Sequence, residues 1–254
     1  MNSQERQRHK MESLGQLAGG VAHELNNVLQ PIFFAIDTIQ RRSEGDPLII
    51  ESSQKITSCV TRAADIIDDI LAFARQDSDR LDFLNINETF DHSLTFAVGL
   101  LPKTIIVHVN AEKRPSYWSW INKTDLVRVF TNLLSNAVDA MNNKGDIHVS
   151  LKYLSILSQG RSKPDIIGED LAPGQYACIS VRDEGGGLDT TELESIFDPF
   201  FTTKDIGEGT GLGLAIVYNI IKNWHGGIEV EAIDGQGTEF SFYIPVYRTG
   251  EDSY

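Results

Sequence analysis

The sequence predicts an α+β chain in two parts. A helical hairpin occupies residues 1–76, and an α/β sandwich, a mixed sheet with helices on one face, occupies residues 77–254. Three observations predict it. Apolar residues recur at threes and fours through the first part. The polar stretch Gln76-Asp77-Ser78-Asp79-Arg80 then breaks the pattern as a linker. Beyond it, alternating strand-like runs mix with helical ones.

Leu14, Leu17, Val21, Leu25, Val28, Ile32, Ile36 and Ile39 draw one apolar stripe, hence one long helix. The cluster from Arg41 to Pro47 ends it in a turn. Ile49, Ile56, Val60, Ala63, Ile67, Ile70 and Phe73 mark a second helix. A lone two-helix hairpin cannot cover both stripes, whereas two copies packed as a four-helix bundle can, so a homodimer through the hairpin is expected. In the second part, Asn87–Val98 reads as a helix and Lys103–Asn110 (KTIIVHVN) as a strand. Asn122–Met141 reads as a helix with Asn122 as N-cap. Asp146–Leu154 and Gln175–Arg182 read as strands separated by a polar excursion, Ser155–Gly174. A helix over Leu212–Trp224 precedes a closing pair of strands, Gly227–Ala232 and Thr238–Val246, joined by the turn Asp234-Gly235-Gln236-Gly237. No internal repeat is visible.

Composition narrows the function. The 254 residues are 41% hydrophobic and 23% charged, enough for a real core. A formal net charge of −14 excludes a sequence-independent nucleic-acid binder, which needs a basic footprint. It does not exclude a phosphate ligand held by backbone N–H groups. Cys59 and Cys178 stand far apart and imply neither a disulfide framework nor a cysteine metal site. No apolar run approaches a bilayer span, so no direct membrane insertion is expected and the chain reads as cytoplasmic.

Four motifs carry chemistry. Gly207, Gly209, Gly211 and Gly213 alternate in a loop that opens a helix, with Leu212 between the last two; glycines admit backbone N–H groups to a phosphate, and the helix adds its positive end. Asp183-Glu184-Gly185-Gly186-Gly187 follows a strand and offers a carboxylate beside room for a flat ring. Asn132 and Asn136 are four apart, so their amide oxygens share a helix face suited to Mg²⁺. Ile196-Phe197-Asp198-Pro199-Phe200-Phe201 leads to Lys204: Pro199 should end a helix, the aromatics can anchor a mobile segment, and Lys204 can meet a phosphate.

The order of these motifs, closed by Gly235–Phe240, resembles the ATP-binding domain of the histidine kinase/gyrase/Hsp90 superfamily, a Bergerat-type sandwich. The segment before the glycine loop points to its histidine kinase branch. The stretch from Gly19 to Asn27 likewise resembles the phosphoacceptor box of sensor histidine kinases. His23 lies two residues from both Val21 and Leu25, about 200° around the helix, and so should face solvent. The resemblance implies that His23 accepts the phosphoryl group, that Glu24 hydrogen-bonds its imidazole, and that Asn27 positions water for dephosphorylating a partner. Pro31 should kink the helix and help the bundle switch. The resemblance also implies that Asn136 binds Mg²⁺ with Asn132 helping to arrange metal or phosphates. Asp183 would read adenine, with Gly185 and Gly187 shaping its pocket and Thr238 supporting it. Gly209, Gly211, Leu212 and Gly213 would line the phosphates. Asp139 stands where many members carry a cation, which leaves Lys204 to compensate phosphate charge.

On this reading the chain is an ATP-dependent histidine autokinase that passes its phosphoryl group to the receiver domain of a separate response regulator and also dephosphorylates it. Two rivals stay open: an ATPase clamp of the gyrase or Hsp90 type, and a scaffold dimer that has lost ATP binding.

Overall fold

The structure is a computed structural model. It describes residue 25 and residues 27–41, 45–74, 81–114, 117–156, 166–167, 171–189, 192–193, 195–204, 209–233 and 235–248. The chain divides into two compact units, Met1–Asp77 with Lys204–Leu212, and Ser78–Thr203 with Gly213–Tyr254.

In the first unit, helix α1 covers residues 27–41 and runs through Pro31 without interruption, while α2 covers Pro47–Ala74. The turn residues read from sequence also start α2. Gly45 takes φ +86°, Asp46 accepts a hydrogen bond from the Leu48 N–H at 2.9 Å, and Pro47 supplies the preset φ of a first helical residue. Ile36, Val60 and Ile67 are buried, but Val28, Ile32, Ile39 and Ile56 of the same stripes remain exposed.

The second unit is built on a six-stranded sheet of order β2-β4-β6-β8-β7-β5. Its strands are β2 (Ile105–Ala111), β4 (Gly145–Ile156), β5 (Ile166–Ile167), β6 (Gly174–Asp183), β7 (Gly227–Ile233) and β8 (Gly237–Pro245). Only the β2–β4 pair is parallel, so the sheet is mixed as expected. Ile147, Val149 and Leu151 alternate inward against Val181 and Ile179, and these against Phe240 and Phe242. Helices α3 (Ile86–Val98), α4 (Lys123–Ala140) and α5 (Gly213–Asn223) supply the layer that buries this apolar side. Phe130 of α4 joins the layers, meeting Phe90 of α3 edge-on at 5.6 Å and Phe242 of β8 at 6.3 Å. The opposite side is polar, with the Ser150 and Ser180 hydroxyls 2.8 Å apart and the His108 and His148 rings stacked at 4.9 Å.

Sequence pattern missed a second sheet. β1 (Asp82–Asn85), β3 (Tyr117–Ile121) and β9 (Tyr247–Arg248) form three antiparallel strands in the order β1-β3-β9. The polar excursion likewise contains β5, which pairs with β7. Residues 195–200 before and around Pro199 form turns rather than the expected helix.

Asn122 caps α4 as expected, accepting from Thr124 N–H at 2.8 Å and Asp125 N–H at 3.2 Å. Removing that acceptor in Asn122→Ala should cost about 1 kcal/mol in a urea melt, with the denaturant slope unchanged.

Candidate functional site

Asp183 ends β6, where the β4–β6 ladder delivers it beside Ile147. Its side chain is buried, and Oδ1 accepts hydrogen bonds from the N–H of Gly185 at 2.8 Å and of Thr238 at 3.3 Å. Burial pushes its pKa above the ordinary carboxylate value, and the two N–H donors offset part of that shift. Thr238 therefore supports Asp183 through its backbone; the sequence had named the residue but not the atom.

The glycines around Asp183 are defined by what surrounds them. A Cβ on Gly185 would stand 2.8 Å from the Ala140 carbonyl oxygen and 2.9 Å from Asp183 Oδ1. A Cβ on Gly237 would fall 2.0 Å from the Asp183 carbonyl oxygen. The Gly235 N–H donates to the Gly186 carbonyl at 3.0 Å. The acidic loop is thus held between the end of α4 and the β7–β8 turn. Gly187 follows with φ +82°, a conformation that favours glycine.

Along α4, Asn132, Asn136 and Ala140 fall four apart on one stripe. Gly185 abuts the Ala140 end. Gly213, the first residue of α5, abuts the Asn132 end, where an added Cβ would stand 2.7 Å from Asn132 Oδ1. Eight residues at a helical rise separate these ends by about 12 Å, with half-buried Asn136 midway. One helix stripe therefore runs from a loop that carries a buried carboxylate to the N-terminus of α5. Its side-chain donors are neutral amide oxygens, hard ligands suited to a cation that keeps its waters and takes phosphate oxygens. Among the described residues no group of three or more His, Cys, Asp or Glu is arranged to hold a metal.

The second unit thus brings together Asp183, Gly185, Thr238, Asn132, Asn136 and Gly213. Phe197 of the same unit is buried and lies 5.7 Å from the Tyr218 ring of α5, so this aromatic does anchor its segment. Lys204, Gly209, Gly211 and Leu212 belong to the first unit. There Leu212 is buried, its N–H donating to Thr210 Oγ1 at 3.2 Å, and Gly211 takes φ +65°. Lys204 and Gly209 are half-buried. Asn27 is exposed on α1, while His23 and Glu24 lie outside the described residues. Sequence reasoning missed Ala140 and Gly237 as site residues. The first carries no reactive group, and the second had its signal in the spacing Gly235-Gln236-Gly237-Thr238.

A buried carboxylate, close-packed glycines and a helix N-terminus meet along one helix of a mixed α/β sandwich. Residues 121–248 match the family of histidine kinase-, DNA gyrase B- and HSP90-like ATPases, and residues 13–79 match the His Kinase A (phospho-acceptor) domain. The chain belongs to this ATPase family and carries the catalytic core of its histidine kinase branch. Its relatives include sensor kinase CckA of Brucella abortus, 34% identical over 96% of this chain and 25% of the relative. Sensor histidine kinase ZraS of Salmonella typhimurium is 30% identical over 97% of this chain and 49% of the relative. The chain thus spans half or less of the length of these two relatives. Among solved structures, full-length ShkA in complex with AMPPNP shares the fold at TM-score 0.69 and 19% identity, covering 92% of this chain and 46% of ShkA. The catalytic domain of histidine kinase ThkA aligns at TM-score 0.50 and 26% identity, over 65% of this chain and 95% of that domain. Among the described residues no helix is long and apolar enough to cross a membrane.

Proposed function

We propose that this chain is the ATP-dependent autokinase of a two-component system, phosphorylating His23 and passing the group to an aspartate of a response regulator's receiver domain. Residues 1–76 serve as the dimerisation and phosphotransfer hairpin, and residues 77–254 as the catalytic domain, acting in the cytoplasm. The observation that carries the reading is the α4 stripe, which meets the Asp183 loop at one end and the start of α5 at the other. The exposed Val28, Ile32, Ile39 and Ile56 support a homodimer, because a second hairpin would cover them.

Asp183 accepts the adenine amino group, and Gly185 and Gly187 leave room for the ring. Asn136 holds the cation, Asn132 helps to arrange it and the phosphates, and Gly209, Gly211, Leu212 and Gly213 line the phosphates with Lys204 balancing charge. Bound Mg²⁺ would supply neutralisation of the charge that spreads over the phosphoryl oxygens. Glu24 accepts the Nδ1–H of His23, which keeps the Nε2 lone pair free. Nε2 forms a bond to the γ-phosphorus as the bond to the ADP oxygen breaks. Asn27 orients water for dephosphorylating the receiver.

The test incubates the full chain with Mg²⁺ and γ-labelled ATP beside His23→Gln and Asn136→Ala. Acid-labile, alkali-stable label on the parent should vanish in both variants. ATP turnover without labelled protein would move the assignment to a clamp ATPase, and label surviving His23→Gln would move the phosphoacceptor.

A further inference from the structure

Asn132 is held in a particular way. Its Nδ2 donates to the Arg128 carbonyl at 3.0 Å, one turn back on α4. That bond fixes the carboxamide and turns Oδ1 toward the first residue of α5. The three heavy atoms nearest an added Cβ at Gly213 all belong to Asn132: Oδ1 at 2.7 Å, Cγ at 3.5 Å and Cβ at 3.9 Å. The first N–H groups of a helix have no partner inside it and carry its positive partial charge. Asn132 Oδ1 occupies the space that a side chain on that first residue would need, beside the end where those donors lie.

We propose that Asn132 is a positioning residue. Its carboxamide seats the N-terminus of α5 at Gly213 and so aims that helix end at the nucleotide phosphates, while direct contact with the cation falls to Asn136 alone. The inference rests on the nucleotide-site reading and divides the labour between two asparagines that sequence spacing treats alike. Chemistry explains the residue type. An amide donates to Arg128 and presents an oxygen to Gly213 at once, whereas aspartate has no donor for the Arg128 carbonyl.

The geometry makes an unusual demand on a variant set. Gly213→Ala collides only with Asn132, and truncating Asn132 to its Cβ leaves the new methyl at 3.9 Å, an ordinary contact. Asn132→Ala should therefore rescue Gly213→Ala. The full chain would be titrated with a non-hydrolysable ATP analogue, once with EDTA and once across a Mg²⁺ series, and each variant melted without ligand. Asn132→Ala should weaken binding about tenfold in both conditions, the size of one lost positioning contact, with the Mg²⁺ half-saturation point unmoved. Gly213→Ala should weaken binding further and lower the melting midpoint. The double variant should return to the Asn132→Ala values. Asn136→Ala, by contrast, should shift the Mg²⁺ half-saturation and spare binding in EDTA. Binding by Asn132→Ala that is normal in EDTA but needs far more Mg²⁺ would overturn the proposal and make Asn132 a ligand. Additive losses in the double variant, in binding or in melting, would overturn it as well. A parent chain that binds no nucleotide would sink the functional reading instead; the ligand-free melts would still decide the Asn132–Gly213 contact, and their additivity would overturn it.

Discussion

Gly237→Ala should destroy the nucleotide site and unfold much of the chain at moderate urea. Two costs combine. Gly237 sits at φ +96°, where a side chain is strained, and its added Cβ would stand 2.0 Å from the Asp183 carbonyl oxygen, 2.8 Å from its carbon and 3.0 Å from Glu184 Cα. These are backbone atoms, so no rotamer relieves the clash. Nor can the strands part cheaply, because Arg182 pairs with Glu239 and Val181 with Phe240 in the same ladder. Strain and overpacking together should cost about 3 kcal/mol or more. Because the displaced group is Asp183 itself, nucleotide affinity should fall by about 100-fold even where the variant stays folded, as expected when a charge-assisted hydrogen bond is lost. Gly186→Ala is the control. Nothing lies within 4 Å of a Cβ there, so the variant should stay within about 0.5 kcal/mol of the parent in the same melts. Equal losses in both variants would mean that the loop, not the close approach at Gly237, limits stability.

What could be read from the sequence depended on how local each signal is. α4 was legible because its cap, Asn122, and its buried face, from Leu126 through Val138, lie within one helix. The same holds for β4, β6 and β8, whose inward residues alternate. The three-stranded sheet was not legible. β1 has four residues and β9 has two, and their partner β3 joins Asp82 to Ile121 and Tyr117 to Arg248. No period within so short a strand encodes a pairing across most of a domain. The site divides along the same line. Asp183, Asn132 and Asn136 are candidates that residue type and spacing offer. Ala140 and Gly237 contribute a close fit against backbone, which has no signature until the elements are packed. The role proposed for Asn132 at α5 also depends on packing, since Asn132 and Asn136 lie on one stripe and only the position of Gly213 sets them apart.

Asp183→Asn should leave the fold intact while inverting base preference. Both N–H donors, from Gly185 and Thr238, reach the same oxygen, Oδ1. In the variant the amide oxygen stays there to accept them, which puts the NH₂ group where Oδ2 was. An NH₂ group opposes the amino group of adenine but matches the carbonyl of guanine. ATP affinity should drop by about 100-fold and the ATP-to-GTP ratio should fall with it, read by competition against a labelled nucleotide. Stability should move the other way, and the sign follows from burial. Desolvation raises the folded pKa of Asp183 above the ordinary value of 3.8. Between those two values the folded chain binds more protons than the unfolded one, so this group's contribution is full below the ordinary value and is lost as pH rises through the folded value. The substituted carboxamide cannot titrate. Melting midpoints of parent and variant compared from about pH 3 to 7 should therefore separate as pH rises, with the variant equal or higher at neutral pH. A variant that melts well below the parent at neutral pH would mean that the Gly185 and Thr238 donors outweigh the burial of the charge, and the carboxylate would then count as a brace of the loop as well as a reader of the base.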